Sequence, residues 1–142
     1  MRVSKGFPPM YSEIHRVFNV RGKPILFAWG DTIFAPPPAG PLTPALHAHE
    51  GVHGLRQMAH SGGPAGWWRA YIDDPRFRLF EEVPAHQAEY RWHELHSGRH
   101  GRDQALESIA RRLSSPLYGS LVTFEQAKKL LSERAEPDMV AL

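Results

Sequence analysis

Two histidines and a glutamate fall within one short motif, His49-Glu50-Gly51-Val52-His53, which has the form H-E-x-x-H. Residues four apart lie one turn above each other on a helix, so both imidazoles can reach one cation. Neutral imidazole is a common ligand of zinc, and a glutamate at this spacing can accept a proton from an attacking water. The motif predicts a Zn²⁺ site on a helix, with Glu50 as the general base of a peptidase.

The third metal ligand has to be a carboxylate or another histidine, because the chain contains no cysteine. The same absence excludes disulfides and a cysteine nucleophile. A predicted downstream helix carries several candidates, four of which share one face at 4- and 7-residue spacings. From the residues alone the choice stays open among Glu81, Glu82, Glu89, Glu94, His86 and His93.

The metal motif requires a helix, and the surrounding sequence supplies one. Thr43 is a suitable N-cap and Pro44 a suitable first residue, so we predict a helix from there to about residue 60. The preceding stretches 25–29 and 32–34 are rich in strand formers and predict a small hairpin or two edge segments. Asp74 followed by Pro75 predicts a second helix start, extending to about residue 96 with a break or kink near Pro84.

The remaining elements follow from local signals. Residues 1–10 predict an irregular arm, residues 11–20 a short helix, residues 65–72 a short amphipathic segment and residues 97–101 a basic loop. An apolar stripe ending at Leu113 predicts a helix, and Thr123 with Gln126 has the form of a capping box that opens another. The tail from Glu136 is expected to fray.

Composition limits the class of protein. The 142 residues amount to one domain, and 42% hydrophobic content with 15 Trp, Tyr and Phe residues disfavours disorder. A net charge of +2 makes nucleic acid an unlikely partner. No apolar run is long enough for a membrane span and no signal peptide is visible, so we expect a cytoplasmic protein. The oligomeric state stays open, and the expected partner is a protein or peptide substrate.

The H-E-x-x-H motif followed by E-x-x-A at residues 82–85 resembles the gluzincin class of zinc metallopeptidases. More narrowly, the chain resembles small single-domain zincin-like proteins of tailed phages and prophages. The segments that carry this resemblance are WGDTIFAP at 29–36, HEGVHGLRQ at 49–57, DPRFRL at 74–79, EVPA at 82–85, IARRL at 109–113, LYG at 117–119 and EQA at 125–127. It covers about residues 12–132 and implies a helix-rich α+β zincin-like domain with a short β edge unit packed on the H-E-x-x-H helix.

The resemblance implies roles for particular residues. His49 and His53 match the two histidine ligands, Glu82 the glutamate ligand and Glu50 the general base. Such proteins often carry glutamine where this chain has Arg56, and an aromatic residue where it has His86. Pro84 within the E-x-x-A motif leaves Glu81 and Glu89 as fallback ligands. A phage-derived context is implied, and the alternative function is a zinc-containing phage structural or binding protein without turnover.

Peptide hydrolysis also needs a donor for the developing oxyanion, and a Tyr, His or Arg near the metal would serve. His86, Tyr90 and Tyr118 are the candidates, with His86 and Tyr90 assigned to the catalytic set.

Other residues are expected to support the site. Asp31 and Gln57 could fix the imidazole tautomers. Trp67, Trp68 and Tyr71 are expected to be core or rim aromatics. We expect an extended substrate to pair with the edge at residues 32–34.

Overall fold

The computed structural model describes residues 1–133 and has a helix-rich α+β architecture, as predicted. The tail predicted to fray from Glu136 lies outside the described residues. The helices are α1 (Tyr11–Phe18), α2 (Pro44–Ala59), α3 (Gly63–Asp73), α4 (Pro75–His96), α5 (Arg99–Leu113) and α6 (Phe124–Ser132). The strands are β1 (Arg2–Ser4), β2 (Phe27–Trp29) and β3 (Thr32–Phe34), and Pro116–Tyr118 forms a 3-10 turn.

Side-chain caps fix the starts of three helices. The Thr43 hydroxyl accepts a hydrogen bond from the Leu46 amide at 3.2 Å, which begins α2. The Asp74 carboxylate accepts from the Arg76 amide at 2.9 Å, which begins α4. The capping box of α6 is complete in both directions. Each cap satisfies an amide that has no partner inside its helix, so these predicted starts are confirmed.

The sheet has the strand order β1-β3-β2. β2 and β3 form the predicted hairpin, turning at Gly30, whose φ of 59° suits a residue without a β-carbon. The predicted irregular arm is wrong at its start, because Arg2–Ser4 pairs in parallel with β3. The Arg2 amide also donates to the Asp31 carbonyl at 2.8 Å. β3 is therefore the central strand, and β2 lies at an edge.

Helix α4 runs without interruption through Pro84, so the predicted break is absent. A proline removes one hydrogen bond inside a helix, and α4 tolerates that loss at Pro84. The basic loop predicted at 97–101 is also shorter than expected, since α5 already begins at Arg99. α2 packs more extensively on α4 than on any other described element, which brings the H-E-x-x-H motif against Glu82.

The hydrophobic core joins α1, α3 and the C-terminal helices. Among its most deeply buried side chains are Ile14, Trp67, Ile109 and Leu113. On the other side, α2 approaches the β2–β3 turn so closely that a β-carbon at Gly54 would lie 2.2 Å from the Gly30 carbonyl oxygen. Only glycine permits this approach. Within residues 1–133, no helix combines the length and the apolar character needed to cross a membrane.

Candidate metal centre

Helices α2 and α4 bring three ligand groups together in the interior. Nε2 of His53 lies 3.0 Å from Oε1 of Glu82, and Nε2 of His49 lies 3.3 Å from the same oxygen. All three side chains are buried, and their ligand atoms lie within 4.8 Å of one another. This group could hold a metal ion.

The donor set fits a small divalent cation. Two imidazole nitrogens point at one carboxylate oxygen, while the Tyr71 hydroxyl donates to the other oxygen of Glu82. Glu82 is thereby oriented to offer Oε1 alone. Two imidazoles and one carboxylate make the three-ligand set of many catalytic zinc sites, in which a further coordination position stays free for water or substrate.

A second carboxylate, that of Glu89, orients His49 through the other nitrogen of its ring. Oε1 of Glu89 lies 2.9 Å from Nδ1 of His49, and the Arg112 guanidinium donates to the other oxygen of Glu89. Hydrogen bonds of this kind fix the tautomer and the ring direction of metal-ligating histidines. Glu89, a fallback candidate for the third ligand, is placed here as a hydrogen-bond partner of His49.

These contacts change the proton affinities of the buried groups. Burial alone would lower the pKa of His49, but hydrogen bonds to Glu82 and Glu89 outweigh it and raise the pKa to about 10. Burial would raise the pKa of Glu89, yet its hydrogen bonds with His49 and Arg112 lower it to about 2. Without a metal, His49 is therefore a cation held between two carboxylates.

Glu50 is buried beside this cluster, and no hydrogen bond engages its side chain within residues 1–133. Burial raises the pKa of its carboxyl group, against the lowering effect of His49 and His53. A carboxylate with raised proton affinity and no fixed partner is suited to accept a proton from a bound reactant.

The cluster opens into a cavity of about 480 Å³, a size typical of small-ligand sites. His49, Glu50, His53 and Glu82 form its polar part. Its apolar wall comes mainly from α1, the segment through β2 and α3: Ile14, Phe18, Val20, Ile25, Leu26, Phe27, Trp67, Trp68 and Tyr71. The three aromatics of α3 are buried, as predicted.

No family model, curated protein or solved structure matches the chain. Its function therefore has to be inferred from the geometry of the site.

Two residues assigned to catalysis do not line the cavity. His86 is fully buried, and its Nδ1 lies 2.7 Å from the Glu82 carbonyl oxygen. Burial and the positive charge of His49 lower the pKa of His86 to about 3 and keep it neutral. Tyr90 belongs to the hydrophobic core. Their positions speak against contact with a substrate, whereas Tyr118, the third candidate, lies on the cavity wall.

The residues expected to fix the imidazole tautomers have other partners. The Gln57 carboxamide accepts from the Gly30 amide at 2.7 Å and donates to the Ala28 carbonyl at 2.9 Å. Asp31 is exposed and pairs with Arg2 at 3.1 Å. The structure brings neither to an imidazole, so that expectation is wrong, and Glu89 orients His49 instead.

The fallback ligand Glu81 is also engaged elsewhere. The Arg56 guanidinium donates to its two oxygens at 3.0 and 2.7 Å, and the Trp67 indole donates at 2.6 Å. Arg56 and Glu81 therefore form a structural ion pair in which Arg56 is partly buried. The E-x-x-A glutamate, Glu82, is the one that faces the histidines.

Sequence reasoning missed the contributions of Tyr71 and Arg112. Tyr71 was expected to be a packing aromatic, and it does pack on Trp67, but its hydroxyl also orients Glu82. Arg112 lies on α5, distant in sequence from every ligand. A tyrosine four residues before the start of α4 gives no signal of this role, because the contact depends on how α3 folds back on α4.

Proposed function

We propose that the protein is a zinc-dependent metallopeptidase of gluzincin type with a zincin-like fold. The ligands would be His49, His53 and Glu82, with Glu50 as the general base. The observation that carries the proposal is the position of Glu50, a buried carboxylate without a hydrogen-bond partner within residues 1–133, in the same cavity as the three ligand groups.

Zinc is the metal that the donor set favours, since neutral imidazoles and a single carboxylate suit it and no thiolate is present. When bound, zinc would act as a Lewis acid that polarises water and the peptide carbonyl. The hydrogen bonds from His49 to Glu89 and from Tyr71 to Glu82 support this assignment, because they orient two of the ligands before a metal arrives.

Glu50 would take a proton from the attacking water and pass it to the leaving amine. Its raised pKa supports both steps, since a base with higher proton affinity is stronger and its conjugate acid still donates readily near neutral pH. The absence of a hydrogen-bond partner within residues 1–133 leaves the carboxylate free to engage the water.

Tyr118 would donate a hydrogen bond to the oxyanion. Its ring is buried and lines the cavity, and no hydrogen bond engages its hydroxyl within the described part of the chain. Burial raises the pKa of Tyr118 well above its usual range, so the hydroxyl keeps its proton at any pH where the enzyme would work. A preorganised donor of this kind contributes where charge develops in the transition state.

The substrate would be an extended peptide lying in the cavity against residues 24–26, the segment that leads into β2. The expectation that it pairs with residues 32–34 is wrong, because β3 has β1 on one side and β2 on the other. β2 is at the edge, and both Phe27 and Ala28 line the cavity. Phe27 and Ala28 are buried, and the Ala28 carbonyl already accepts hydrogen bonds from Gln57 and Trp68, so the peptide would contact the segment before β2 rather than add a strand to it.

The test compares zinc-loaded wild type with Glu50→Gln on a diverse peptide library, and Glu107→Gln on α5 serves as a control for the same chemical change at an exposed position. Glu50→Gln keeps the shape of the side chain but cannot act as a base. We expect it to retain zinc and to lose hydrolysis by at least about 100-fold, while Glu107→Gln keeps full activity.

Two results would contradict the proposal. Equal cleavage by wild type and Glu50→Gln would assign the base to another residue. Failure of the zinc-loaded wild type across the whole library would favour a zinc-containing structural or binding protein, such as a phage component.

A further inference from the structure

Arg112 is a cationic side chain on the wall of the cavity, at the last turn of α5. Its side chain is 43% exposed, and within residues 1–133 its guanidinium hydrogen-bonds only to Glu89. A guanidinium has five N–H donors in a planar fork. Most of these donors therefore remain free to meet a ligand in the cavity.

The position of Arg112 is fixed relative to the metal centre. Glu89 contacts Arg112 through one oxygen and His49 through the other, at 2.9 Å. One carboxylate thus connects the guanidinium to a metal-ligand group. A cation held in this way is preorganised, so little side-chain freedom is lost when it binds a ligand.

The charges on the cavity wall favour the binding of an anion beside Arg112 rather than elsewhere in the cavity. Glu50 and Glu82 lie on the polar part of the wall, where they would repel a substrate carboxylate. Lys23 and Arg112 are side chains on the wall that carry a positive charge at neutral pH. Lys23 is exposed in the loop before β2, whereas Arg112 is held by its hydrogen bond to Glu89. The planar guanidinium also matches the geometry of a carboxylate better than an ammonium does.

We propose that Arg112 binds a carboxylate of the peptide substrate close to the bond that is cleaved, which makes the enzyme selective for peptides that carry one there. This inference rests on the proposed peptidase function. The carboxylate has two possible sources: the C-terminus of the peptide or the side chain of an aspartate or glutamate.

The first experiment compares peptides that differ only in the carboxylate. One pair has a free C-terminal carboxylate or a C-terminal amide, and the other has Glu or Gln at positions flanking the cleaved bond. We expect the acid to exceed its neutral counterpart in kcat/KM by about 10- to 100-fold in one pair, which identifies the source. Equal cleavage of acid and neutral peptides in both pairs would overturn the proposal.

Variants separate ligand binding from support of Glu89. In Arg112→Gln we expect the preference for the acid to fall to within about twofold, mainly through KM. Arg112→Lys should keep part of the preference. Arg111→Gln is the matched control, because Arg111 is adjacent on α5, is exposed and is absent from the cavity wall. A purely structural role for Arg112 would slow both members of a pair equally and leave the preference intact, which would also overturn the proposal.

A binding measurement keeps the inference distinct from turnover. Zinc-loaded Glu50→Gln should bind the acid peptide about 10- to 100-fold more tightly than the neutral one, and the Glu50→Gln, Arg112→Gln double variant should not. If no peptide is cleaved by wild type but this difference is found, the peptidase proposal fails and the carboxylate site stands. If the acid and neutral peptides bind equally, the carboxylate site fails whatever the activity.

Discussion

Oε1 of Glu89 lies 2.9 Å from Nδ1 of His49, while Nε2 of the same ring lies 3.3 Å from Oε1 of Glu82. The imidazole is thus held between a carboxylate that could share a metal with it and a carboxylate that could only orient it. Both carboxylates come from α4, seven residues apart, so a single helix provides a candidate metal ligand and the hydrogen-bond acceptor that orients His49.

Loss of the contact between Glu89 and His49 should lower the affinity for metal measurably. We expect Glu89→Ala to weaken zinc binding by about 10- to 100-fold, because His49 loses the partner that fixes its ring and increases its basicity. Glu82→Ala should abolish tight binding, and Glu107→Ala on α5 should change nothing. Competition with a chromophoric chelator measures all three. A larger loss in Glu89→Ala than in Glu82→Ala would reverse their roles.

Zinc uptake should release a proton from His49. The metal-free pKa of about 10 means that this imidazole is doubly protonated near neutral pH, whereas a ligating nitrogen must be unprotonated. Apparent affinity should therefore rise by about tenfold per pH unit between about pH 7 and 9. Calorimetry in buffers of different ionisation enthalpy counts the protons. A binding enthalpy independent of the buffer would contradict this prediction.

Substitutions of the adjacent glutamates Glu81 and Glu82 on α4 should affect different properties, the first stability and the second zinc binding. Glu81→Gln removes the charge that balances the partly buried Arg56, so we expect a loss of about 1–3 kcal/mol in the free energy of unfolding with zinc retained. Glu82→Gln should lose zinc. Urea denaturation together with metal analysis distinguishes the two variants. Loss of zinc from folded Glu81→Gln would show that Glu81 contributes to the metal site.

Two glycines of α2 should also respond oppositely to alanine. A β-carbon at Gly54 would overlap the Gly30 carbonyl oxygen, so Gly54→Ala must shift the helix and should destabilise by about 1–3 kcal/mol. The nearest atom to a β-carbon at Gly51 is the Met1 sulfur at 3.7 Å, an ordinary contact. Gly51→Ala should stabilise by about 0.5–1 kcal/mol through helix propensity. Thermal unfolding checks both, and equal effects would be inconsistent with the close approach at Gly54.

The elements that sequence predicts well are those whose signals are local. Thr43, Asp74 and Thr123 each bond to an amide two or three residues along the chain, so their helix starts can be read directly. β1 carries no such signal. Its three residues become a strand because they pair with residues about 30 positions away, and three residues are too few for a hydrophobic pattern.

The residues of the site also fall into those that local sequence signals predict and those that depend on tertiary packing. His49, Glu50 and His53 follow from helical spacing, which places them together on any helix. The choice between Glu82 and Glu89 does not, because both lie on one face of α4 and only its position along α2 decides which meets both histidines. Tyr71 and Arg112 reach the site from α3 and α5, so their roles depend on tertiary packing alone.

The carboxamide of Gln57 imitates one residue of a fourth, parallel strand, since it donates to the Ala28 carbonyl and accepts from the Gly30 amide. This end of β2 is therefore already paired, and a second protein molecule cannot extend the sheet there. Unpaired sheet edges can pair with other molecules and cause aggregation, and the buried side chain of Gln57 prevents such pairing at this end of β2. Any chain that docks beside β2 has to end its pairing before Ala28, whose carbonyl also accepts a hydrogen bond from the Trp68 indole.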